Sequence, residues 1–368
     1  MSDLVTIDGQ PSWILGNAAV QAAVTVQGGH LTARFAAGGR QVNPFYTAPW
    51  WSEEVPPGTS EMIRVLRGDF FCLPFGNGAP PHGKTANDPW RFEGASTRGP
   101  ARELTLSMDL GPVGGRVVKT VRIVEGEPVI YQEHAVTGLG GPVPLGHHPV
   151  LKLPDRQGAG IIDMSPPIAG FTPPGLVEEP ARGGYSSLKP GSEITDRSRV
   201  PTERGDTADL TRYPTPRGFD DLSCFVSDPR RAFAFSSVSV PGEGWLYFQL
   251  KDPRVLAQTL LWMANGGRHF PPWSGRVVSV LGLEEVTSFF AYGQEASLAP
   301  NLFRERGFPC ACEPGPGGAL RVRLLMGLVA VGPDFRGVED IVRKDPATIT
   351  ILGRGGERID VPCRADFL

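Results

Sequence analysis

The feature that most constrains the fold of this chain is a two-residue alternation of apolar and polar side chains, which recurs in short runs. The clearest runs are HLTARF, ELTLSMDL, RVVKTVRIV and PVIYQEHAV, at residues 30–35, 103–110, 116–124 and 128–136. Successive side chains of a β-strand point to opposite faces of a sheet, so this period indicates strands with one face in a core. Because no long amphipathic helix pattern interrupts the runs, we predict an all-β fold.

Turn residues divide these runs. The 47 glycines and 37 prolines are scattered and form no low-complexity tract, which is typical of a folded chain with many turns. The link Glu125-Gly126-Glu127 between two of the runs predicts a hairpin. Residues 154–216 are rich in Pro, Gly, Ser and charged side chains and predict an elaborated loop region. Since the strand pattern is the same on both sides of it, we expect a single large domain over residues 1–368.

The tail of the chain continues the strand pattern with one exception. From residue 319 it predicts a strand at RVRLLMGLVAV, a short helix at FRGVEDIVRK and a further strand at ATITIL.

Charge and cysteine content exclude several classes of partner. The formal net charge is -3 with mixed signs, and without a basic stripe nucleic acid is not expected as a partner. The N-terminus lacks a signal-peptide pattern and no apolar run could span a bilayer, so we expect a cytoplasmic protein with no membrane partner. Five widely spaced cysteines favour a reducing compartment, and Cys310 and Cys312 are interpreted as ordinary thiols. Nothing in the pattern indicates an oligomeric state.

Histidines and carboxylates mark the candidate site. His147 and His148 are a doublet immediately before a strand-like run that ends at a proline. Their side chains should point to opposite faces of that strand, so only one of them can reach a given cleft. A slip of one residue in the strand register would exchange His147 and His148. Elsewhere, Arg67 lies on a predicted strand and His82 follows a Gly/Pro-rich loop that could carry it into a pocket.

Several of these segments, taken in order, resemble the motifs of the aldose 1-epimerases, the galactose mutarotases and their hexose-6-phosphate relatives. Arg67-Gly68, Pro74-Phe75-Gly76 and His82-Gly83 are similar to the family's Arg-Gly-Gly, Pro-Phe-Gly and His-Gly-Phe-Ala elements. HPVLKL at residues 148–153 is similar to the His-x-Tyr-Phe-Asn-Leu strand, with Lys152 where Asn is usual.

Two later segments extend the resemblance to about residue 286. FDDLSCFV at residues 219–226 resembles the Asp-His-x-Phe element with one extra residue, so that either Asp220 or Asp221 matches the aspartate. LGLEEV at residues 281–286 is similar to the Gly-Leu-Glu-Pro strand and puts Glu284 at the glutamate.

The resemblance implies a galactose mutarotase-like β-supersandwich with a concave sugar-binding cleft. It implies an enzyme that interconverts the α and β anomers of a free or phosphorylated aldose, with a monosaccharide or sugar phosphate as its partner and no metal or organic cofactor. Glu284 would be the base and His148 the acid. His82 would bind the ring oxygen or a neighbouring hydroxyl, Arg67 and Asp221 would bind other hydroxyls, and a tryptophan could stack on the sugar. Trp90, Trp262 and Trp273 are the candidates, although such residues are more often in a core or at a rim than sugar platforms.

The chemistry explains why an acid and a base are needed together. Opening a pyranose ring removes a proton from the anomeric hydroxyl and delivers one to the ring oxygen. A histidine near its reference pKa of about 6.5 and a partly desolvated glutamate can do both near neutrality. We therefore expect Arg67, His82, His148 and Glu284 to converge on one cleft. Glu285, the neighbour of Glu284, is expected to face solvent.

Two other classes of protein stay open at this point. The departures at Lys152 and around Asp221 allow a non-catalytic carbohydrate-binding protein on the same fold. A metal-dependent cupin-type enzyme would use His82, His147 or His148, and Glu284 as ligands. The cations Lys84, Arg91 and Lys152 are near the motifs in the sequence, but surface cations of this kind are too common to decide whether the sugar is phosphorylated.

Overall fold

Antiparallel sheets account for most of the regular structure in a computed structural model that describes residues 4–111 and 114–368. The prediction of an all-β fold is confirmed. A five-stranded meander begins the chain, with β1 Val5–Ile7, β2 Gln10–Gly16, β3 Val20–Thr25, β4 Leu31–Ala37 and β5 Arg40–Val42.

Nine strands form the largest sheet. They are β7 Arg91–Arg98, β8 Ala101–Asp109, β9 Arg116–Val124, β10 Val129–Thr137, β13 Gly160–Met164, β17 Arg212–Tyr213, β19 Ala234–Val240, β20 Trp245–Lys251 and β23 Leu320–Ala330. Their order across the sheet is β17-β13-β19-β20-β23-β10-β9-β8-β7. β9 and β10 pair as the hairpin that the Glu125-Gly126-Glu127 link predicts.

A seven-stranded sheet packs against the largest one. Its strands are β6 Phe71–Cys72, β11 Leu145–His147, β12 Val150–Lys152, β14 Ala169–Phe171, β18 Phe219–Val226, β21 Gln258–Asn265 and β22 Val280–Thr287. β22 is its organising strand, because it pairs with β21 on one side and with both β11 and β12 on the other.

The remaining strands and the α-helices lie outside these three sheets. They are strands β15 Val200–Pro201, β16 Thr207–Ala208, β24 Val338–Asp345, β25 Thr348–Gly353 and β26 Arg358–Pro362, and helices α1 Glu61–Arg64, α2 Gly83–Asn87, α3 Gln294–Leu298 and α4 Leu302–Glu305. β24, β25 and β26 form a C-terminal meander. None of the helices within the described ranges has the length and hydropathy needed to cross a bilayer.

Three apolar cores hold the sheets together, and β22 lies between two of these cores. Leu281 and Leu283 of β22 belong to the core shared with the nine-stranded sheet. Val280 and Val286 of the same strand belong to a second core on the opposite face, built with the loops and short helices. The C-terminal meander covers the outer face of the nine-stranded sheet as a third core. Every residue of β22 is therefore buried.

Two sequence-based expectations about elements need correction. The region at residues 154–216 is more than a loop, because it contributes β13 and β17 to the largest sheet and β14 to the seven-stranded sheet. The segment FRGVEDIVRK contributes its residues from Val338 onward to β24 and forms no helix. Val338 and Ile341 are three residues apart, as on a helix, but a bulge between Val338 and Asp340 adds one residue to the strand. The bulge brings both apolar side chains to the same face.

Candidate active site

A cavity of about 200 Å³ lies between the outer face of the seven-stranded sheet and the segments that cover it. Five side chains with polar groups other than Trp indoles line it: Asn77, His82, His148, Arg268 and Glu284. The rest of the wall is apolar or aromatic, from Met62, Ile63, Leu66, Phe70, Pro81, Val177, Leu222, Trp262, Trp273 and Ala291. A small, largely apolar cavity with a few convergent polar groups is the usual form of a small-molecule site.

Glu284 reaches the cavity because of its place on β22. Side chains alternate along the strand, so Gly282, Glu284 and Val286 share the face that looks away from the nine-stranded sheet. A Cβ at Gly282 would lie 2.8 Å from Glu284 Oε1 and 3.1 Å from Trp262 Cβ. The glycine of this motif therefore leaves the space that the carboxyl group occupies beside Trp262.

His148 is held at the gap between β11 and β12. Its backbone N–H donates to the carbonyl of Phe70 at 3.0 Å. The Phe70 ring stacks on the imidazole with centroids 4.6 Å apart, and the Trp262 ring meets it edge-on at 5.9 Å. These contacts fix the plane of the imidazole, so that its Nε2 atom faces Glu284.

The two side chains meet in a buried pair. His148 Nε2 lies 3.3 Å from Glu284 Oε1, and the side chains are 8% and 3% exposed. Burial raises the pKa of Glu284 to about 8. Burial also lowers the pKa of His148 well below its usual value, and the neighbouring His82 adds to this effect. The expectation of a histidine near its reference pKa does not hold, because the cavity wall removes the water that would solvate an imidazolium.

The consequence for the pair is that it holds a single proton over a wide pH range. Between the low pKa of His148 and the raised pKa of Glu284, one of the two groups is a proton donor and the other an acceptor. Burial favours the arrangement in which neither is charged, with the proton on Glu284. An acid and a base therefore face the same cavity at neutral pH.

His82 adds a neutral imidazole to the same wall. It precedes α2 in a left-handed conformation, with φ of 60°, and its ring meets the His148 ring edge-on at 5.2 Å. Gly76 N–H donates to His82 Nδ1 at 3.4 Å, which leaves Nε2 to carry the ring proton. Burial lowers the pKa of His82 to about 4, and the charge of Arg268 contributes. His82 thus offers one N–H donor and no charge.

Arg268, which the sequence patterns did not single out, is the cation of the cavity. It follows β21 in the run Gly266-Gly267-Arg268. Its guanidinium lies 5.1 Å from the Trp262 ring centroid and 4.6 Å from that of Trp273. A Cβ at Gly267 would come within 2.1 Å of Asp220 N, so only glycine lets this segment approach β18. The glycine-arginine sequence directly after an apolar strand was therefore the feature of the sequence that could have indicated Arg268 as a site residue.

Arg67 and Asp221 do not reach the cavity, contrary to expectation. Arg67 donates from Nε to Val65 O at 3.1 Å, from Nη1 to Ile7 O at 2.9 Å and from Nη2 to Asp8 O at 3.0 Å. It therefore anchors the turn between β1 and β2.

Asp221 is likewise used within the fold. It accepts hydrogen bonds from Ser187 N at 2.6 Å and from Leu188 N at 3.0 Å, which ties the region 154–216 to β18. The alternative, Asp220, lies on the other face of β18, with its Oδ2 3.5 Å from Arg268 Nε. Of the two aspartates, Asp220 is the one connected to the cavity.

The histidine doublet is divided between the two faces of the seven-stranded sheet. His148 faces the cavity, whereas His147 is fully buried on the side of the nine-stranded sheet. There His147 Nδ1 lies 2.9 Å from Asp69 Oδ2, which also accepts from Gln132 Nε2 at 2.6 Å. The pairing of β11 with β22 sets this register.

Glu285 does not face solvent, so that expectation was wrong. It is fully buried and accepts hydrogen bonds from Ser236 Oγ at 2.5 Å and from Gln249 Nε2 and Thr259 Oγ1, both at 2.8 Å. It also forms an ion pair with buried Lys251. The physical reason is that β22 has protein on both faces, so the side chain opposite the cavity enters the core.

The tryptophans differ in their access to the cavity. Trp90 donates from Nε1 to Thr85 O at 2.9 Å and packs elsewhere, whereas Trp262 and Trp273 line the cavity. Trp262 Nε1 is buried and has no hydrogen-bond partner within the part of the chain that the structure describes.

The ligand set of a cupin-type metal site is not assembled. Over residues 4–111 and 114–368, no group of three or more His, Cys, Asp or Glu side chains is arranged to hold a metal ion. Of the two expected sets, the one with His147 is divided by the sheet. The other set, His82, His148 and Glu284, shares the cavity wall without forming such a group in the described residues. The five cysteines form no disulfide and are all buried.

The fold is that of the galactose mutarotase-like proteins. A putative aldose 1-epimerase from Escherichia coli K12 matches with a TM-score of 0.56 and 15% identity, over 87% of this chain and 99% of that one. A galactose mutarotase-like protein from Clostridium acetobutylicum matches with a TM-score of 0.59 and 9% identity, over 89% and 98%. A putative aldose 1-epimerase from Klebsiella pneumoniae matches with 0.59 and 12%, over 87% and 79%. No protein-family model and no curated protein matches the chain.

Proposed function

We propose that this protein is an aldose 1-epimerase-like isomerase, which interconverts the α and β anomers of a monosaccharide by acid–base ring opening. The observation that carries the proposal is the contact of His148 with Glu284, 3.3 Å apart in a buried cavity. A buried carboxyl and imidazole that share one proton, among hydrogen-bond donors and aromatic rings, are the groups that this reaction requires.

The reaction needs two proton transfers in each direction. Because burial favours the proton on Glu284 at rest, it first moves across the 3.3 Å contact to His148. In this ion-pair arrangement Glu284 accepts the proton of the anomeric hydroxyl while His148 donates one to the ring oxygen, and the C1–O5 bond breaks to give an open-chain aldehyde. Rotation about the C1–C2 bond presents the other carbonyl face. Ring closure then returns both protons, so that the pair regains its starting state and no redox partner or co-reactant is consumed.

Binding of the sugar is assigned to the remaining polar groups of the cavity. His82 Nε2–H and the Arg268 guanidinium can donate to substrate hydroxyls. The Trp262 and Trp273 rings in the wall suit the apolar C–H surface of a pyranose. Phe70 and the other apolar side chains exclude water, which strengthens the polar contacts.

Saturation-transfer NMR on the purified full chain tests the proposal. The exchange rate between anomers of common aldoses, free and phosphorylated, should exceed the spontaneous rate in the same buffer and scale with protein concentration. No acceleration on any aldose would overturn the enzymatic proposal. Sugar binding without acceleration would support the non-catalytic carbohydrate-binding protein.

A further inference from the structure

Two carboxylates of the protein balance the positive charge of Arg268. Arg268 is the one cationic side chain in the described lining of the cavity. Arg268 Nε donates to Glu178 Oε1 at 2.7 Å, and Asp220 Oδ2 lies 3.5 Å from the same nitrogen. Both carboxylates are buried, at 6% and 1% exposure. Bulk water therefore screens neither of them effectively, and they neutralise the guanidinium locally.

The other cations near the sequence motifs do not supplement it. Lys84 Nζ donates to Asp109 O at 2.8 Å, and Arg91 is paired with the carboxylate of the same aspartate. Lys152 Nζ donates to Val278 O at 2.6 Å. None of the three lines the cavity. These three side chains therefore add no positive charge to the cavity that would favour a phosphorylated sugar.

The wall of the cavity consequently carries no excess positive charge. His82 and His148 are uncharged at neutral pH because burial lowers both pKa values. Burial raises the pKa of Asp220 only to about 6, so this carboxyl is mostly ionised at pH 7. A phosphate monoester would bring a charge of about -1.5 to -2 toward buried carboxylates. Like charges in a desolvated site repel strongly.

The free donors of Arg268 instead suit neutral oxygens. Its Nη1 and Nη2 atoms make no hydrogen bond to residues 4–111 or 114–368, and the guanidinium plane is held by Trp262 and Trp273. A fixed fork of N–H donors beside aromatic faces fits two adjacent hydroxyls of a pyranose. We propose that the cavity selects an uncharged aldose over its phosphate ester, and that the Arg268–Glu178 pair sets this selectivity.

This inference rests on the proposed function, and its test compares two substrates in one assay. Anomer exchange of D-glucose, D-galactose and glucose 6-phosphate is followed by saturation-transfer NMR at pH 7 in a buffer free of phosphate. The parent protein should accelerate at least one free aldose with a kcat/KM about tenfold or more above that for the 6-phosphate. Glu178→Gln keeps the hydrogen bond to Arg268 but removes a negative charge, so the ratio should fall by about threefold to tenfold.

Two further variants keep the result interpretable. Asp220→Asn retains the acceptor for Gly267 N–H, present at 2.8 Å, and should shift the ratio in the same direction. Glu103→Gln makes the same chemical change at a carboxylate paired with Arg122 on the nine-stranded sheet, and should leave the ratio unchanged. A parent protein that prefers glucose 6-phosphate, or a ratio that neither Glu178→Gln nor Asp220→Asn alters, would overturn the inference.

Failure of the proposed function would be seen separately, as no acceleration of any sugar by the parent protein. The selectivity is then decided by titration calorimetry of the same sugars with the same protein. Measurable binding of D-glucose or D-galactose and none of glucose 6-phosphate supports the inference, and the reverse order overturns it.

Discussion

At the scale of single residues, burial decides which side chains carry charge in the cavity. Glu284 and His148 are both removed from water, and the proton they share is most stable where it leaves neither of them ionised. The two residue types could be predicted from LGLEEV and GHHPVLKL. Their protonation could not, because it depends on the Phe70, Trp262 and Trp273 rings that displace solvent from the site.

The first prediction concerns the two proton-exchanging side chains. Glu284→Gln keeps the shape of the side chain but removes its ability to exchange a proton, so anomer exchange should fall by about two to four powers of ten. His148→Asn should lower it by a similar factor, because the two groups act as a unit. The measurement is the exchange rate of each folded variant, with sugar affinity changing far less. Full activity in Glu284→Gln would show that another carboxylate is the base.

The second prediction is the pH dependence of the parent protein. The active form is the pair with one proton, and it is lost when the pair gives up that proton. Since the pKa of Glu284 is raised to about 8, kcat/KM should be level around neutrality and fall as pH rises through about 8. Rates measured from pH 5 to pH 10 test this, with Glu284→Gln lacking the alkaline fall. A rate that shows no decline near pH 8 would contradict it.

At the scale of elements, β22 is a strand with two functions on its two faces. Glu284 enters the cavity from one face, and Glu285 enters the core between the sheets from the other. The alternation of side chains was predictable from the sequence, as was the division of His147 from His148. That both faces are covered was not predictable, since a strand in an antiparallel sheet often leaves one face in water.

The third prediction follows from the core face of β22. Glu285→Gln removes the charge that balances buried Lys251, and an unpaired buried ammonium costs about 3–5 kcal/mol. The free energy of unfolding, measured by urea titration at pH 7, should fall by about that amount. A double variant with Lys251→Met should recover much of the loss. An unchanged midpoint in Glu285→Gln would show that the pair is open to solvent.

Glu284→Gln is the matched control for Glu285→Gln, because the expected change in the free energy of unfolding has the opposite sign. Glu284 has a folded-state pKa of about 8, above its ordinary value of 4.5. A carboxyl with a raised folded-state pKa reduces stability as pH rises from the unfolded pKa to the folded one, because only the unfolded chain releases the proton. Glu284→Gln should therefore match or exceed the parent in stability at pH 7, with an advantage that shrinks toward pH 4.5.

At the scale of the whole molecule, the C-terminal meander and the candidate site lie on opposite sides of the two large sheets. The C-terminal meander packs on the outer face of the nine-stranded sheet, with Ile349 and Ile351 fully buried against residues such as Phe248 and Leu325. The cavity lies beyond the other sheet, on the outer face of the seven-stranded one. A change in the meander should thus affect folding without reaching the chemistry.

The fourth prediction separates the meander from the candidate site. Ile351→Ala leaves a cavity in a buried cluster and should lower the free energy of unfolding by about 2–5 kcal/mol. Anomer exchange per folded molecule should be unchanged within a factor of about two, because additivity holds between distant sites. Arg358→Ala, an exposed position on β26, should alter neither quantity. A large loss of specific activity in Ile351→Ala would show that the meander is coupled to the cavity.

The sequence by itself determined the strands with a clear alternation of side chains, the opposite faces of neighbouring side chains, and the histidine and glutamate that meet in the cavity. These properties depend on the two-residue period and on short motifs, which are local. Only the tertiary structure decided that Arg268 and not Arg67 supplies the cation, that Glu285 is buried, and that β24 is a bulged strand. Each of these depends on which distant segment covers a given face of a strand. Arg67 contacts Asp8, Arg268 contacts Glu178 and Glu285 contacts Lys251 through packing between segments that are far apart in the sequence, so no local pattern predicts these contacts.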